Sequence, residues 1–342
     1  MKPKKLLLLT AFLTLLILLS LFKKAHDQSI KNIENKNQKV RVVLNEGLSS
    51  NFVDGAEIYK SGDDSSKIKL RKTNSGAWVV ELPFSARARK GTIDSLLKDL
   101  TSIRGEMRSE SKNVLQDFKL DEKQSIHVLL KGGDKEISHI LLSPLRPGGT
   151  VNFVRSQQSD RVVATDTDIL GDLGIYSKEA LLDPKIFFDL KILQLDIAKV
   201  NSFKLSPSVG AQLNFVKQKN EKDKGETWAL EPADNSVEID KTKVDNFLSQ
   251  LANLYAAQAV DPKGAEYGIK EDASWISISM IDGADKPLET NLFISAAADK
   301  EKKIYLKVLP DGNFYRLMES QISQLSKDRT FFLKESVTPK KA

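Results

Sequence analysis

The 342-residue chain contains no cysteine. That absence excludes structural disulfides, thiolate catalysis and sulfur-ligated zinc together. Histidine is nearly as scarce. His26, His127 and His139 are the only three, and no HExxH or comparable ligand spacing joins them. No metal site, catalytic histidine or cofactor is therefore expected. His127 alternates with Ile126 and Val128 and is expected on the solvent side of a strand, while His139 precedes one. There is no GxxxxGK[ST], so the chain is not itself an ATPase of the P-loop type. The GxSxG elbow is also missing, which weakens a serine-hydrolase reading.

Acidic residues are absent from the first 24 positions, where Lys2, Lys4, Lys5, Lys23 and Lys24 carry five of the six net positive charges. The remainder has a net charge of +1, so the sequence pI of about 9.1 reports the N-terminal flanks. A nucleic-acid partner needs positive charge on the binding domain itself, and none is expected here.

Long apolar runs are absent too, with one exception. "LLLLTAFLTLLILLSLF", Leu6 to Phe22, is uninterrupted and has lysines on both sides. As a helix it measures roughly 25 Å, a little short of a ~30 Å hydrocarbon core. Residues 1–24 are therefore expected to be a signal anchor, a transmembrane helix whose contact with the bilayer is residues 6–22. A cleaved signal peptide is the competing reading, but the run ends in "SLFKK" and not in small residues. The three leading lysines favour a cytoplasmic N-terminus. The expected location is thus the bacterial inner membrane, single-pass, with the C-terminal body in the periplasm or outside the cell. Residues 25–39 read as a polar tether and 337–342 as a disordered basic tail.

The body says the same thing twice. "AWVVELP" and "TWALEP" place Trp78 and Trp228 in alternating, strand-like runs closed by Pro83 and Pro232. A helical stripe follows each, Ile93-Leu96-Leu97-Leu100-Ile103 and Val244-Phe247-Leu248-Leu251-Leu254. Phe118 in "DFKL" then matches Tyr267 in "EYGI", and "SHILLS" matches "TNLFIS", at nearly the same offset. "DPKIFF" is echoed by "DRTFFL". So long a period means two copies of a domain. Strands outnumber helices and arrive consecutively. The expected fold class is α+β, an N-terminal transmembrane helix followed by two tandem copies of an antiparallel sheet with helices packed on one face. The copies are placed at 40–195 and 196–336, packed tightly or sharing a strand in an elongated body. Trp78, Trp228, Leu97, Leu248, Phe118 and Tyr267 are expected core equivalents; a carbohydrate platform is the alternative for the aromatics. Trp275, present in one copy only, stands apart.

Three local features invite a functional reading. "SARARKG" sets Arg87, Arg89 and Lys90 before the first helix, where the helix dipole disfavours cations. The second copy has "SVEID" there. The three cations read either as a solvated loop or as a contact with acidic lipid or an acidic partner. "TDTD", with Asp166 and Asp168, reads as a helix cap in preference to a cation site. "RPGGT" at 146–150 reads as a turn.

"LLDPKIFFDLKILQLDIAKVNSFKL", together with "WVVELP", the following helix and "LQDFKL", resembles the bacterial envelope family called domain of unknown function 4340. The resemblance covers roughly residues 50–335. It implies a membrane-anchored extracytoplasmic protein, similar to auxiliary components of gliding-motility-type ABC transporters, with an ABC permease or another envelope protein as partner. It carries over no catalytic residue. The expected function is a non-enzymatic scaffold or partner-binding protein. A periplasmic ligand- or glycan-binding protein, with a cleft between the copies, is the alternative. A hydrolase with an unrecognised site ranks third.

Overall fold

The computed structural model describes Ser20, Lys23 and residues 41–334, apart from 147–150, 178–180, 207–209, 220–224, 235, 264–266, 270–273, 282–285 and 296–302. The apolar run of residues 6–22 (Ser20 excepted), the tether with His26, positions 147–150 of "RPGGT" and the tail of 337–342 lie outside the described residues. No helix among the described residues is long and apolar enough to cross a membrane. The transmembrane helix of the expected architecture is therefore not part of the observed fold.

Period-two alternation dominates the chain and lays down two antiparallel sheets. The first is built from β1 (Arg41–Val43), β2 (Gly55–Lys60), β3 (Asp63–Lys72), β4 (Trp78–Leu82) and β5 (Ala86–Arg87). It continues through β6 (Arg104–Ser109), β7 (Ile126–Gly132), β8 (Lys135–Leu142), β9 (Asn152–Ser156) and β10 (Val162–Thr165). The second contains β11 (Val200–Ser206), β12 (Leu213–Lys219), β13 (Glu226–Leu230) and β14 (Gln258–Val260). Its remaining strands are β15 (Trp275–Ile281), β16 (Pro287–Ile294), β17 (Ile304–Leu309) and β18 (Asn313–Leu317).

The strand orders coincide. The first sheet runs β1-β6-β10-β9-β8-β7-β2-β3-β4-β5. Read from its β14 edge, the second runs β14-β18-β17-β16-β15-β11-β12-β13. Removing the short edge strands β1 and β5 leaves eight equivalent strands in one order. Both tryptophan strands end at a cis proline, Leu82–Pro83 and Glu231–Pro232.

The expected α+β balance is corrected, since the chain is predominantly β. Helices α1 (Lys90–Thr101), α2 (Ile169–Asp172), α3 (Lys241–Ala252) and α4 (Glu319–Leu325) are few and short. Among the described helices, α1 and α3 alone carry an apolar stripe long enough to cover a sheet. The aromatic segments make single 3-10 turns, Pro184–Phe187 and Arg329–Phe332, capped by Asp183 and Asp328. Helix α1 buries Ile93, Leu96, Leu97 and Leu100 against the first sheet, and α3 buries Val244, Phe247, Leu248 and Leu251 against the second. Trp78 and Trp228 are both buried in these cores.

The other face of the first sheet is also covered. The segment between β6 and β7 crosses it, and Leu115 and Leu120 pack on Leu141 and Val162 there. Buried Arg155 fastens this cover by donating to the Leu120 carbonyl at 2.7 Å and pairing with Glu122 at 2.9 Å.

Candidate functional site

The cation-rich stretch before α1 resolves into three different fates. Strand β5 pairs with β4 through Val79↔Arg87 and Val80↔Ala86. Ala86 and Ala88 point inward and are buried, which turns Arg87 to the opposite side, toward the second lobe. Arg89 is exposed at the N-cap of α1 and makes no side-chain cap bond. Lys90 pairs with Asp94 one turn along the helix. The second lobe repeats that pairing with Lys241 and Asp245, and there Asp245 also accepts from the Trp228 indole at 3.0 Å.

Arg87 is the hub of the seam between the lobes. Its Nε donates to Asp189 at 3.0 Å and one Nη reaches Asp311 at 3.4 Å. The other Nη donates to the carbonyls of Lys191 and Ile192 and lies 3.5 Å from the Tyr315 hydroxyl. Its backbone N–H donates to Asn313 Oδ1 at 3.0 Å. A guanidinium offers five donors in a rigid fork, which suits a site where several chain segments converge. The Tyr315 hydroxyl donates to the Asp189 carbonyl at 3.3 Å, and burial pushes its pKa up to about 12. It stays a neutral donor at physiological pH.

Among the described residues the lobes share no strand. Residues 187–192 are instead hydrogen-bonded on both sides. Arg89 N–H donates to Phe187 O at 2.7 Å and Asp189 N–H to Arg87 O at 2.9 Å. Across the seam, Ile192 N–H donates to Leu254 O at 3.0 Å and Ala256 N–H to Leu190 O at 2.8 Å. Beside Arg87 a cavity of about 230 Å³ opens between the lobes, lined by Ile192, Leu193, Ile278, Met280, Val308 and Pro310. It is apolar, with the Arg87–Asp311 pair at its wall.

The histidines behave differently from expectation. His127 is buried, because the cover of residues 112–125 lies over its side of the sheet. His139 lies within β8. Ser61 Oγ sits 3.2 Å from His127 Nε2, and His127 Nδ1 sits 3.0 Å from His139 Nε2. This has the outline of a nucleophile–base–orienter relay. The Glu122 carbonyl defeats it. That oxygen only accepts, yet it lies 2.9 Å from His127 Nε2 and 2.6 Å from Ser61 Oγ. Nε2 therefore carries its proton and takes none from Ser61. His127 Nδ1 accepts from His139 Nε2–H, and burial followed by the neighbouring His127 lowers the pKa of His139. The cluster pins the cover to the sheet.

The other sequence candidates also find places. Asp168 caps α2 by accepting from Gly171 N–H at 3.0 Å and pairs with Arg146 at 2.7 Å. Among the described residues no group of three or more His, Asp or Glu side chains is placed to hold a metal ion. Phe118 and Tyr267 are half-buried and not fully enclosed, and each packs at an angle against a second-face aromatic. Phe118 meets Phe153 at 4.8 Å, and Tyr267 meets the equivalent Tyr305 at 4.6 Å. Trp275 is half-buried at the start of β15.

Sequence reasoning misses Asp189, Asp311, Asn313 and Tyr315, the partners that absorb Arg87. One signal was available. Laying the two copies over each other sets Arg87 against Glu238 and Asp189 against Lys334, an ion pair of inverted sign.

A family profile described as Domain of unknown function (DUF4340) matches residues 78–272. The match starts at the first tryptophan and runs through the seam into the second lobe. No curated protein and no solved structure matches the chain. More than half of the chain falls under that profile, and the protein belongs to the DUF4340 family.

Proposed function

We propose that the chain is a non-enzymatic scaffold of the cell envelope, a two-lobed spacer that binds partner proteins outside the cytoplasm. Residues 6–22 are its contact with lipid, and an ABC-type permease is the partner class in view. The seam supports this reading. A segment hydrogen-bonded to both lobes, with Arg87 binding five groups around it, suits a body that holds a fixed distance. The test uses the full chain with Lys98→Cys and Gln324→Cys, which the cysteine-free background makes uniquely labelable. Spin labels at these sites should give one narrow distance distribution, broadened by Arg87→Ala. A broad distribution in the parent chain would remove the spacer. Tagged protein drawn from its native membranes should bring a permease or other envelope protein with it in fixed ratio. Recovery alone counts against the scaffold.

A ligand-binding role is the second reading, and the apolar cavity at the seam favours it. Saturable binding of a small apolar probe, blocked by Ile192→Trp, is its expected signature.

A further inference from the structure

The paired histidines of the first lobe have no counterpart in the second. "SHILLS" matches "TNLFIS", which sets Asn291 at the place of His139 and Phe293 at that of Leu141. Across the strands, His127, Leu141 and Arg155 form one row of β7, β8 and β9. Trp275, Phe293 and Lys307 form the matching row of β15, β16 and β17. Trp275 therefore stands where His127 does. Neither Trp275 nor Asn291 titrates, whereas the first lobe holds two imidazoles in contact beneath residues 112–125. One lobe can respond to acid at this place and its twin cannot.

The hydrogen bonds fix where the protons sit. His127 Nε2–H donates to the Glu122 carbonyl of the cover at 2.9 Å, and Nδ1 accepts from His139 Nε2–H at 3.0 Å. Each ring therefore keeps Nδ1 unprotonated. A proton added to His127 lands on the acceptor itself, sets two N–H donors face to face and breaks the bond. A proton added to His139 lands 3.8 Å from a Glu136 oxygen, where burial and then His127 oppose the charge. The surrounding charges compensate little. Glu122 of the cover lies 4.0 Å from His127 Nδ1, but it is 55% exposed and pairs with Arg155 of β9. Glu136 of β8 is 44% exposed, so water screens it as well. On β2, Tyr59 stacks on His127 at 4.8 Å beneath Lys67 of β3, while Glu57 is held by Lys67 and Lys131. Asp121 turns its carboxylate to Gln124 at 2.7 Å.

We propose that residues 112–125 form an acid-released flap, held shut by the neutral His127–His139 pair and lifted when that pair takes up protons. Lifting gives the rings to water and uncovers a ready apolar layer of Leu115, Phe118 and Leu120 on one side and Leu141, Phe153 and Val162 on the other. The direction follows from linkage. His139 in the closed lobe binds its proton less readily than an ordinary histidine of pKa 6.5, so the lifted form holds more protons. Opening therefore gains as pH falls below 6.5, by up to about tenfold per pH unit for each proton taken up, until the closed form titrates too. Ser61 and Arg155 also hold the cover through the carbonyls of Glu122 and Leu120, and those bonds set how firmly it is shut at neutral pH.

Hydrogen exchange on the full chain in detergent, followed from pH 7.5 to pH 5 and expressed as protection factors, reads this directly. Protection of residues 112–125 should fall about tenfold or more, the scale of one proton over one pH unit. Strands β11 and β15 and helix α3 of the second lobe should keep theirs. His139→Asn imports the second lobe's residue, whose amide can still donate to His127 Nδ1 but takes up no proton. It should leave the cover closed at pH 7.5 and shrink the acid response about tenfold. A second measurement needs no variant: the His139 imidazole, followed by NMR, should take up its proton over the pH range in which protection is lost. If His139→Asn opens the cover at neutral pH, that titration of the parent chain decides. Constant protection of 112–125 would overturn the proposal, and so would a loss shared by both lobes. An undiminished response in a closed His139→Asn, or a His139 ring that titrates under a protected cover, would overturn it equally.

Discussion

At equivalent places the first lobe is filled by Ile58, Ile68 and Leu96, and the second by Phe203, Phe215 and Phe247. The aromatic set is continuous. Phe203 stacks on Phe215 at 4.5 Å, and both rings approach Phe332. Eight strands in one order thus tolerate an aliphatic interior in one lobe and an aromatic one in the other. The strand order rests on alternation and turn placement, which both lobes retain; the choice of side chain sets how each interior is packed. The frame is common to both lobes, and the fillings differ.

The largest effects should come from emptying the two interiors. Phe247→Ala should cost about 3–5 kcal/mol and Leu96→Ala about 2–5 kcal/mol by denaturant unfolding of the full chain. Leu96→Phe imports the second lobe's residue into the first without its neighbours, and should cost about 1–3 kcal/mol through overpacking. If that variant is neutral, the interiors are interchangeable and the comparison loses its force.

Next in size is the pair of hubs. Arg87→Ala leaves Asp189 half-buried without its cation and should cost about 2–3 kcal/mol. Glu238→Ala removes an exposed pair with Lys334 and should cost less than about 0.5 kcal/mol. Equal losses at the two positions would mean that the Glu238 pair is already covered within the molecule.

A further small effect, comparable to that of the exposed pair, concerns Asp172, whose place in the second lobe's α4 holds no acidic residue. Burial, then its contact with the carboxylate of Asp99, raises its pKa from 3.8 to about 6. The folded chain therefore binds an extra proton between about pH 4 and 6, and stability falls as pH rises through that window. Asp172→Asn should flatten this slope and stabilise the chain above pH 6, by about 1 kcal/mol or less after solvent screening. Parallel stability–pH curves for the two proteins would refute it.

Local periodicity made much of the interior legible. The stripes of α1 and α3 and the tryptophans Trp78 and Trp228 sit where their spacing demands. Burial of His127 was not legible, because what covers it is the segment around Leu115 and Leu120, which has no period of its own. The same cover explains why Phe118 belongs to a second, smaller apolar layer. The fate of Arg87 was hidden for another reason. Asp189 and Asp311 lie far along the chain, and no local pattern joins them to β5. The aromatic segments that open at the Asp183 and Asp328 caps stop after one 3-10 turn because the backbone becomes extended at Phe188 and Leu333.

The inverted ion pair has a consequence for how the chain reaches its native state. A duplicated chain gives each closing segment, 184–189 or 329–334, two cradles with the same backbone pattern to choose between while it folds. A crossed choice sets Arg87 against Lys334, or Glu238 against Asp189, and like charges facing each other push the segment back out. Opposite signs at the two ends act as an address, sending each segment home to its own half and sparing the protein a tangle of exchanged parts.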